Sequence, residues 1–103
     1  MADYLRVAGT GEIPPGERKL VFVADKPIAI FNVEGRYYCI GDVCTHDGGP
    51  LAEGELTGHE LECPRHGALF DIRTGAALTF PATTPTHVYE VKVDGEDILI
   101  APV

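Results

Sequence analysis

Two short motifs, Cys44-Thr45-His46 and Cys63-Pro64-Arg65-His66, decide how this chain is interpreted. Sixteen residues separate His46 from Cys63, and each motif offers one thiol and one imidazole. In an extended loop, residues i and i+2 point to the same side, so the first pair can face one centre. Pro64 fixes a turn that lets the second pair do the same. The sequence therefore predicts one metal centre, with four ligands: Cys44, His46, Cys63 and His66.

The residues around these motifs predict loops mounted on a β scaffold. The 12 glycines and 8 prolines punctuate short apolar runs, and no stretch has a convincing helical period. Between the two motifs, Thr57-Gly58-His59 is flanked by strand-like residues and predicts a short hairpin. We expect residues 41–75 to form a small metal-binding subdomain, built from loops and inserted into the scaffold.

The scaffold itself is predicted to be a meander of antiparallel strands. Turn signals at Glu34-Gly35 and Asp94-Gly95 separate β-rich apolar runs. At 103 residues, the length suits one domain, so residues 1–103 are taken as a single all-β unit. The predicted strands are residues 20–24, 28–33, 36–40, 88–93 and 97–101.

Two kinds of metal centre fit two cysteines and two histidines. Structural zinc uses this donor set, but its usual spacing begins with two cysteines two to four residues apart. Here each loop contributes one Cys and one His instead. A pair of irons bridged by sulfides, with both cysteines on one iron and both histidines on the other, fits that division better. A structural zinc module that mediates protein interactions remains the alternative from a different functional class.

The pattern C-x-H followed by C-x-x-H at this separation resembles the Rieske family, and the resemblance covers essentially the whole chain. It implies an antiparallel β-sandwich with an inserted cluster-binding subdomain and one [2Fe-2S] cluster per chain. It also implies a soluble ferredoxin, not itself an enzyme, that passes single electrons from a flavin-dependent reductase to a terminal oxygenase. A Rieske-like subunit or auxiliary of nitrite reduction or iron–sulfur assembly is a second reading of the same resemblance.

Comparison with the respiratory branch of that family adds two expectations, the absence of a disulfide between the cluster loops and a low reduction potential. That branch has a disulfide between the cluster loops, where this chain has Gly49 and Arg65. It also has a Ser and a Tyr that donate hydrogen bonds to cluster sulfurs, where this chain has Ala68 and Phe70. We therefore expect a reduction potential toward the lower end of the Rieske range of roughly −150 to +300 mV. The proline-containing loop that covers the cluster in the family corresponds to Phe80-Pro81-Ala82.

Charge and composition limit the possible partners and location. A formal net charge of −8 disfavours nucleic-acid binding and suits a basic protein partner. No apolar run is long enough to span a membrane, and the N-terminus does not resemble a signal peptide, so we expect a cytoplasmic protein. Leu51 and Pro81 are predicted to form an apolar docking rim, with Asp47 and Glu53 as orienting charges.

The remaining candidates are interpreted as structural. Cys39 lies in a predicted strand and is expected to be a buried thiol, since three cysteines are too few for a disulfide framework. His59 is expected to be a solvated turn residue, and His87 a structural residue at the start of a strand. Arg73 and Asp71 are expected to make a surface contact of little energy.

Overall fold

The computed structural model describes residues 4–45, 48–65 and 67–101, which form two antiparallel sheets. The described residues include one helical turn, a 3-10 segment at Thr10–Glu12, and no helix among them is long or apolar enough to cross a membrane. The strands are β1 Leu5–Gly9, β2 Arg18–Val23, β3 Lys26–Val33, β4 Arg36–Gly41, β5 Leu56–Thr57, β6 Glu60–Glu62, β7 Leu69–Asp71, β8 Val88–Asp94 and β9 Asp97–Ala101.

The larger sheet has the spatial order β1-β9-β8-β4-β3-β2, and the smaller sheet has the order β5-β6-β7. The five predicted strands are confirmed as β2, β3, β4, β8 and β9, with ends that move by up to two residues. The turn after β2 comes earlier than expected, because Ala24 and Asp25 both have a positive φ. That conformation suits a two-residue hairpin turn. The hairpin of β5 and β6 is also confirmed, with Leu56 opposite Leu61.

Two strands escaped the sequence analysis. Strand β1 buries one side chain fully, Ala8, and its pairing with β9 shifts between Arg6 and Ala8. It therefore lacks the regular alternation that identifies a half-buried strand. Strand β7 is three residues long, which is too short for any periodic pattern.

Strand β3 separates two hydrophobic cores, which explains why its apolar residues are continuous rather than alternating. Ile28 and Ile30 face one core, whereas Ala29 and Phe31 face the other, as expected for successive residues of a strand. We call the first the base core; its buried members are Ala8, Ile13, Val23, Ile28, Ile30, Cys39, Tyr89, Ile98 and Ile100. We call the second the loop core; its buried members are Ala29, Phe31, Ile40, Cys44, Leu51, Ala52, Leu61, Cys63, Ala68, Phe70, Ile72 and Ala82.

These two cores give the molecule its layers. The larger sheet folds over on itself, so Ile98 and Ile100 of β9 join Ile28 of β3 in the base core. The smaller sheet and its loops cover the opposite face of β3, with Leu61 and Phe70 in the loop core. The predicted antiparallel sandwich is thus confirmed, and the segment between β4 and β8 stands on its outer face.

Candidate metal centre

The two predicted cysteine ligands begin loops with the same backbone hydrogen bonds. In the first loop, residues 44–49, the carbonyl of Cys44 accepts from the N–H of Gly48 at 2.7 Å, and its own N–H donates to the carbonyl of Gly49 at 2.8 Å. In the second loop, residues 63–68, the carbonyl of Cys63 accepts from Gly67 at 2.9 Å, and its N–H donates to Ala68 at 2.7 Å. Each cysteine thus bonds the residues four and five positions later.

A glycine at the same place in each loop makes this shared turn possible. Gly48 has a φ of 77° and Gly67 a φ of 74°. Both lie in the left-handed region, which glycine enters without the steric cost that a Cβ would bring. The two glycines therefore give the two loops one backbone design.

The environment of the two cysteines fits a sulfur-ligated cluster. Cys44 and Cys63 are both fully buried, and both belong to the loop core. A thiolate is costly to bury among apolar side chains unless its charge is compensated, and metal coordination compensates it directly. Two buried sulfurs on matching loops of one core thus suit a centre that takes both cysteines on one metal.

The histidine half of the predicted ligand set lies outside the described residues. His46 lies two residues after Cys44, and His66 lies three residues after Cys63; Asp47 is likewise outside the described part of the chain. The assignment of Cys44, His46, Cys63 and His66 as ligands therefore stays a prediction.

Side chains outside the first loop hold the residues that enter it and the chain that leaves it. The Oδ1 atom of Asp42 accepts from the backbone N–H groups of Leu51 and Ala52, at 2.7 Å and 2.6 Å. On the other side, Thr86 donates to the carbonyl of Val43 at 3.1 Å. These bonds anchor the residues immediately before the loop and immediately after it.

Arg18 is a support that the sequence analysis missed. It extends from β2, and its Nη1 atom donates to the carbonyls of Ala52 and Gly54, at 2.6 Å and 2.7 Å. Its guanidinium also lies over the ring of Phe31, 5.1 Å from the centroid. No local pattern marks such a residue, since its partners are more than thirty positions away.

The segment predicted to cover the centre borders both loops. Thr45 of the first loop donates to the carbonyl of Thr84 at 2.5 Å. Beyond the second loop, the N–H of Leu69 donates to Oγ1 of Thr79 at 2.9 Å. Between these contacts, Phe80 is 83% exposed and precedes Pro81 through a cis peptide bond.

One part of the predicted docking rim is wrong. Leu51 is fully buried in the loop core, because the chain after the first loop turns inward to meet Asp42. Pro81 is partly exposed and Glu53 is exposed, so both remain available at the surface. The strongly exposed apolar side chain in this neighbourhood is Phe80, which the sequence analysis had placed only in the covering loop.

The positions matched to the respiratory disulfide face each other across the two loops. A Cβ on Gly49 would lie 2.6 Å from Nη2 of Arg65. The same guanidinium donates from Nη1 to the carbonyl of Pro50 at 2.7 Å, and its Nη2 lies 3.8 Å from Sγ of Cys63. The other two matched positions, Ala68 and Phe70, are fully buried and offer no side-chain donor.

Most of the structural interpretations are confirmed. Cys39 is a buried thiol of the base core, and burial raises its pKa to about 12. Arg73, in the exposed turn after β7, pairs at 2.9 Å with Asp71, whose side chain is mostly buried, and its hydrogen bonds hold the pKa of that carboxyl below the ordinary value. His59 lies in the predicted turn but is half-buried rather than solvated, because its ring packs edge-on against Tyr38.

His87 precedes β8 as expected. It is exposed, and its ring contacts that of Tyr89 with centroids 4.6 Å apart. His87 therefore contacts the base core through Tyr89, which is a member of that core.

Comparison with known proteins agrees with this geometry. Residues 3–100 match the Rieske [2Fe-2S] domain family. The ferredoxin component of a naphthalene 1,2-dioxygenase system from Pseudomonas aeruginosa is 40% identical over 89 residues, covering 86% of each chain. The ferredoxin of carbazole 1,9a-dioxygenase from Nocardioides aromaticivorans IC177 superposes with a TM-score of 0.90, at 33% identity, over 97% of this chain and 98% of that one.

A chain from a complex of reduced oxygenase and oxidized ferredoxin in carbazole 1,9a-dioxygenase superposes with a TM-score of 0.87, at 35% identity, over 95% of this chain and 92% of that one. The family match sets aside the structural zinc module, because the family is defined by its iron–sulfur cluster. The chain belongs to the Rieske [2Fe-2S] domain family and carries one [2Fe-2S] cluster.

Proposed function

We propose that this protein is the ferredoxin component of a multicomponent oxygenase system. In that role it accepts single electrons from a flavin-dependent reductase and delivers them to a terminal oxygenase, without catalysing oxygenation itself. The observation that carries the proposal is the pair of matching loops, each beginning with a fully buried cysteine, in a Rieske domain. Its relatives named as ferredoxin components of dioxygenase systems support the assignment.

In this proposal, Cys44 and Cys63 hold one iron, and His46 and His66 hold the other. The bound cluster supplies a one-electron couple, and the protein's task is to hold it and control its surroundings. The loop core keeps water away from both cysteine sulfurs, and the shared turns hold the two cysteines in equivalent positions. Ala68 and Phe70 add no side-chain donor, so the expectation of a potential near the lower end of the Rieske range stands.

The surface charge of the cluster-binding subdomain suits basic partner surfaces. Its exposed acidic residues project from the smaller sheet and the chain leading into it: Glu53, Glu55, Glu60 and Glu62. Together with the net charge of −8, they favour fast encounters that weaken as salt is added. We extend the proposal to a cytoplasmic location, where a reducing environment keeps thiolates available as metal ligands.

The first experiment is to purify the protein anaerobically, count iron and sulfide, and record visible absorption and low-temperature EPR spectra. We expect two irons and two sulfides per chain, with a reduced-state average g value below that of an all-cysteine centre. Cys44→Ser and Cys63→Ser should each lose the cluster, and Cys39→Ser is the matched control that should keep it. A colourless wild-type protein with one zinc, or loss of iron from folded Cys39→Ser, would contradict the assignment.

The carrier role requires a separate assay. The reductase and terminal oxygenase of a naphthalene dioxygenase system, without their own ferredoxin, are mixed with NADH, naphthalene and this protein. We expect product formation that depends on the cluster-loaded chain and is absent with Cys63→Ser. Failure of the loaded protein to accept electrons from this reductase or from other ferredoxin reductases of such systems would refute the carrier role while leaving the cluster assignment intact.

A further inference from the structure

Arg65 crosses from the second loop to the first. It lies between Cys63 and His66 in sequence, yet its Nη1 atom donates to the carbonyl of Pro50, which directly follows the first loop. That hydrogen bond is 2.7 Å long and carries a full positive charge on the donor, which makes it stronger than a bond between neutral groups. One side chain thus ties together the two segments that hold the predicted ligands.

The first loop is shaped to receive this guanidinium. A Cβ on Gly49 would stand 2.6 Å from Nη2 and 2.7 Å from Cζ of Arg65, closer than such atoms can approach. Gly49 is not among the glycines with a positive φ, so its backbone conformation does not require glycine. A larger residue at this position would therefore force the guanidinium to move.

The same guanidinium places positive charge against one cysteine. Its Nη2 atom lies 3.8 Å from Sγ of Cys63, within the range of an N–H to sulfur hydrogen bond. A donor and a positive charge beside a ligand sulfur stabilise the more negative, reduced state of a bound cluster. The chain has a net charge of −8, and Ala68 and Phe70 supply no side-chain donor, so Arg65 offers a positive charge and a donor where those two positions offer neither.

We propose that Arg65 is a positioning residue of the metal centre, which clamps the two loops together and raises the reduction potential through Cys63. The inference rests on the proposed function, since it takes Cys63 as a cluster ligand. It makes Gly49 and Arg65 one unit, in which the glycine supplies the space and the arginine supplies both the bridge and the charge. The two roles can be separated, because Lys keeps the charge but lacks the planar fork of Arg.

The test compares Arg65→Gln and Arg65→Lys with Arg73→Gln, which removes the same charge from an exposed turn of the same subdomain. Potentials are measured by redox titration, and iron release is followed with a chelator. We expect Arg65→Gln to lower the potential and to release iron about tenfold faster or more. Arg65→Lys should have a reduction potential close to that of wild type but release iron faster. Arg73→Gln should match wild type in both reduction potential and iron-release rate.

Gly49→Ala tests the clamp without touching the charged residue. The added methyl group should displace the guanidinium, so the variant should release iron faster and have a lowered potential. In a double-mutant cycle, adding Gly49→Ala to Arg65→Gln should change little, because the contact is already gone. Fully additive effects would show that the two residues act independently and would overturn the clamp.

The outcomes distinguish this inference from the proposed function. If the wild type holds no Rieske cluster, the proposed function fails and the inference falls with it. If the wild type holds the cluster and Arg65→Gln has the potential and iron-release rate of Arg73→Gln, only the inference is overturned. Loss of the cluster from folded Arg65→Gln, with its retention in Arg73→Gln, would support the positioning role directly.

Discussion

The first loop and the second loop have the same backbone hydrogen bonds but are held in different ways. The second loop connects β6 to β7, which pair directly, with Glu62 opposite Leu69 at its base. The described residues on either side of the first loop belong to no strand pair, and side chains outside the loop hold it instead: Asp42, which lies just before it, and Thr86, which lies far along the chain. The same backbone turn is therefore held once by local strand pairing and once by side-chain contacts from outside the loop, and only the local pairing leaves a pattern in the sequence.

We expect the largest loss of unfolding free energy from a change where the two loop-bearing segments pack closely against each other. A Cβ on Gly54 would stand 1.6 Å from the carbonyl oxygen of Glu62, the residue before Cys63. Backbone on both sides must move to admit it, so Gly54→Ala should lose about 3 kcal/mol or more of unfolding free energy. Urea denaturation measures the loss. Gly11→Ala is the control, because no atom lies near its added methyl group, and a similar loss there would contradict the packing argument.

Removing Asp42, which anchors the first loop, should cause the next largest loss of unfolding free energy. Asp42→Ala deletes the acceptor of the Leu51 and Ala52 N–H groups, and we expect a loss of about 1.5–3 kcal/mol. Iron release should also become faster. Glu62→Ala is the matched change before the second loop. The Glu62 side chain is exposed, so this change should alter the unfolding free energy by less than about 0.5 kcal/mol. Equal losses in the two variants would erase the contrast between the loops.

The two left-handed glycines should behave alike, since the turns themselves are alike. Gly48→Ala and Gly67→Ala each place a Cβ at positive φ, which costs roughly 1–2 kcal/mol. Among the described residues, neither methyl group meets a close neighbour; the nearest described atom to that of Gly67 is Oε2 of Glu62 at 3.9 Å. Thermal denaturation of the two variants should therefore give the same shift, and a clear difference would show that the loops do not share one backbone design.

The smallest effect concerns the turn after β7 and its dependence on pH. Arg73 holds the pKa of Asp71 below its ordinary value, so the pair stabilises the fold above about pH 4 and loses this contribution as pH falls through the lowered pKa. Asp71→Asn should lower stability at pH 7 by less than about 1 kcal/mol, because the Arg73 side chain is half exposed and solvent weakens its attraction for Asp71. The deficit should shrink on acidification; a deficit that stays constant to pH 2 would contradict the pKa direction.

Much of the fold could be predicted because its signals are local. The turn residues around β2, β3, β4, β8 and β9 mark those strands, and the two motifs identify the loops that carry Cys44 and Cys63. Strand β1 could not be found, since one buried residue and an irregular register give no period to detect.

The supports of the site were hidden for a different reason. Arg18 acts on residues more than thirty positions away, and Asp42 acts across the first loop, so both roles exist only once the chain has folded. Leu51 was misplaced at the surface because an apolar residue after a Gly-Pro turn can face either way, and only the loop core determines its direction. The assignment of His46 and His66 as ligands still rests on the sequence motif alone.

The packing of β3 on both faces bears on the rate of electron exchange. Phe31 and Ala29 press on the loop core, while Ile28 and Ile30 are held from behind by the base core, so the strand has little freedom to yield. Cys44 and Cys63 share the loop core with this stiff wall and will shift little when the charge beside them changes. With Cys44 and Cys63 as ligands in the proposed assignment, small nuclear rearrangement would mean a small reorganisation energy, so β3 would help to keep the barrier to electron transfer low without supplying a ligand.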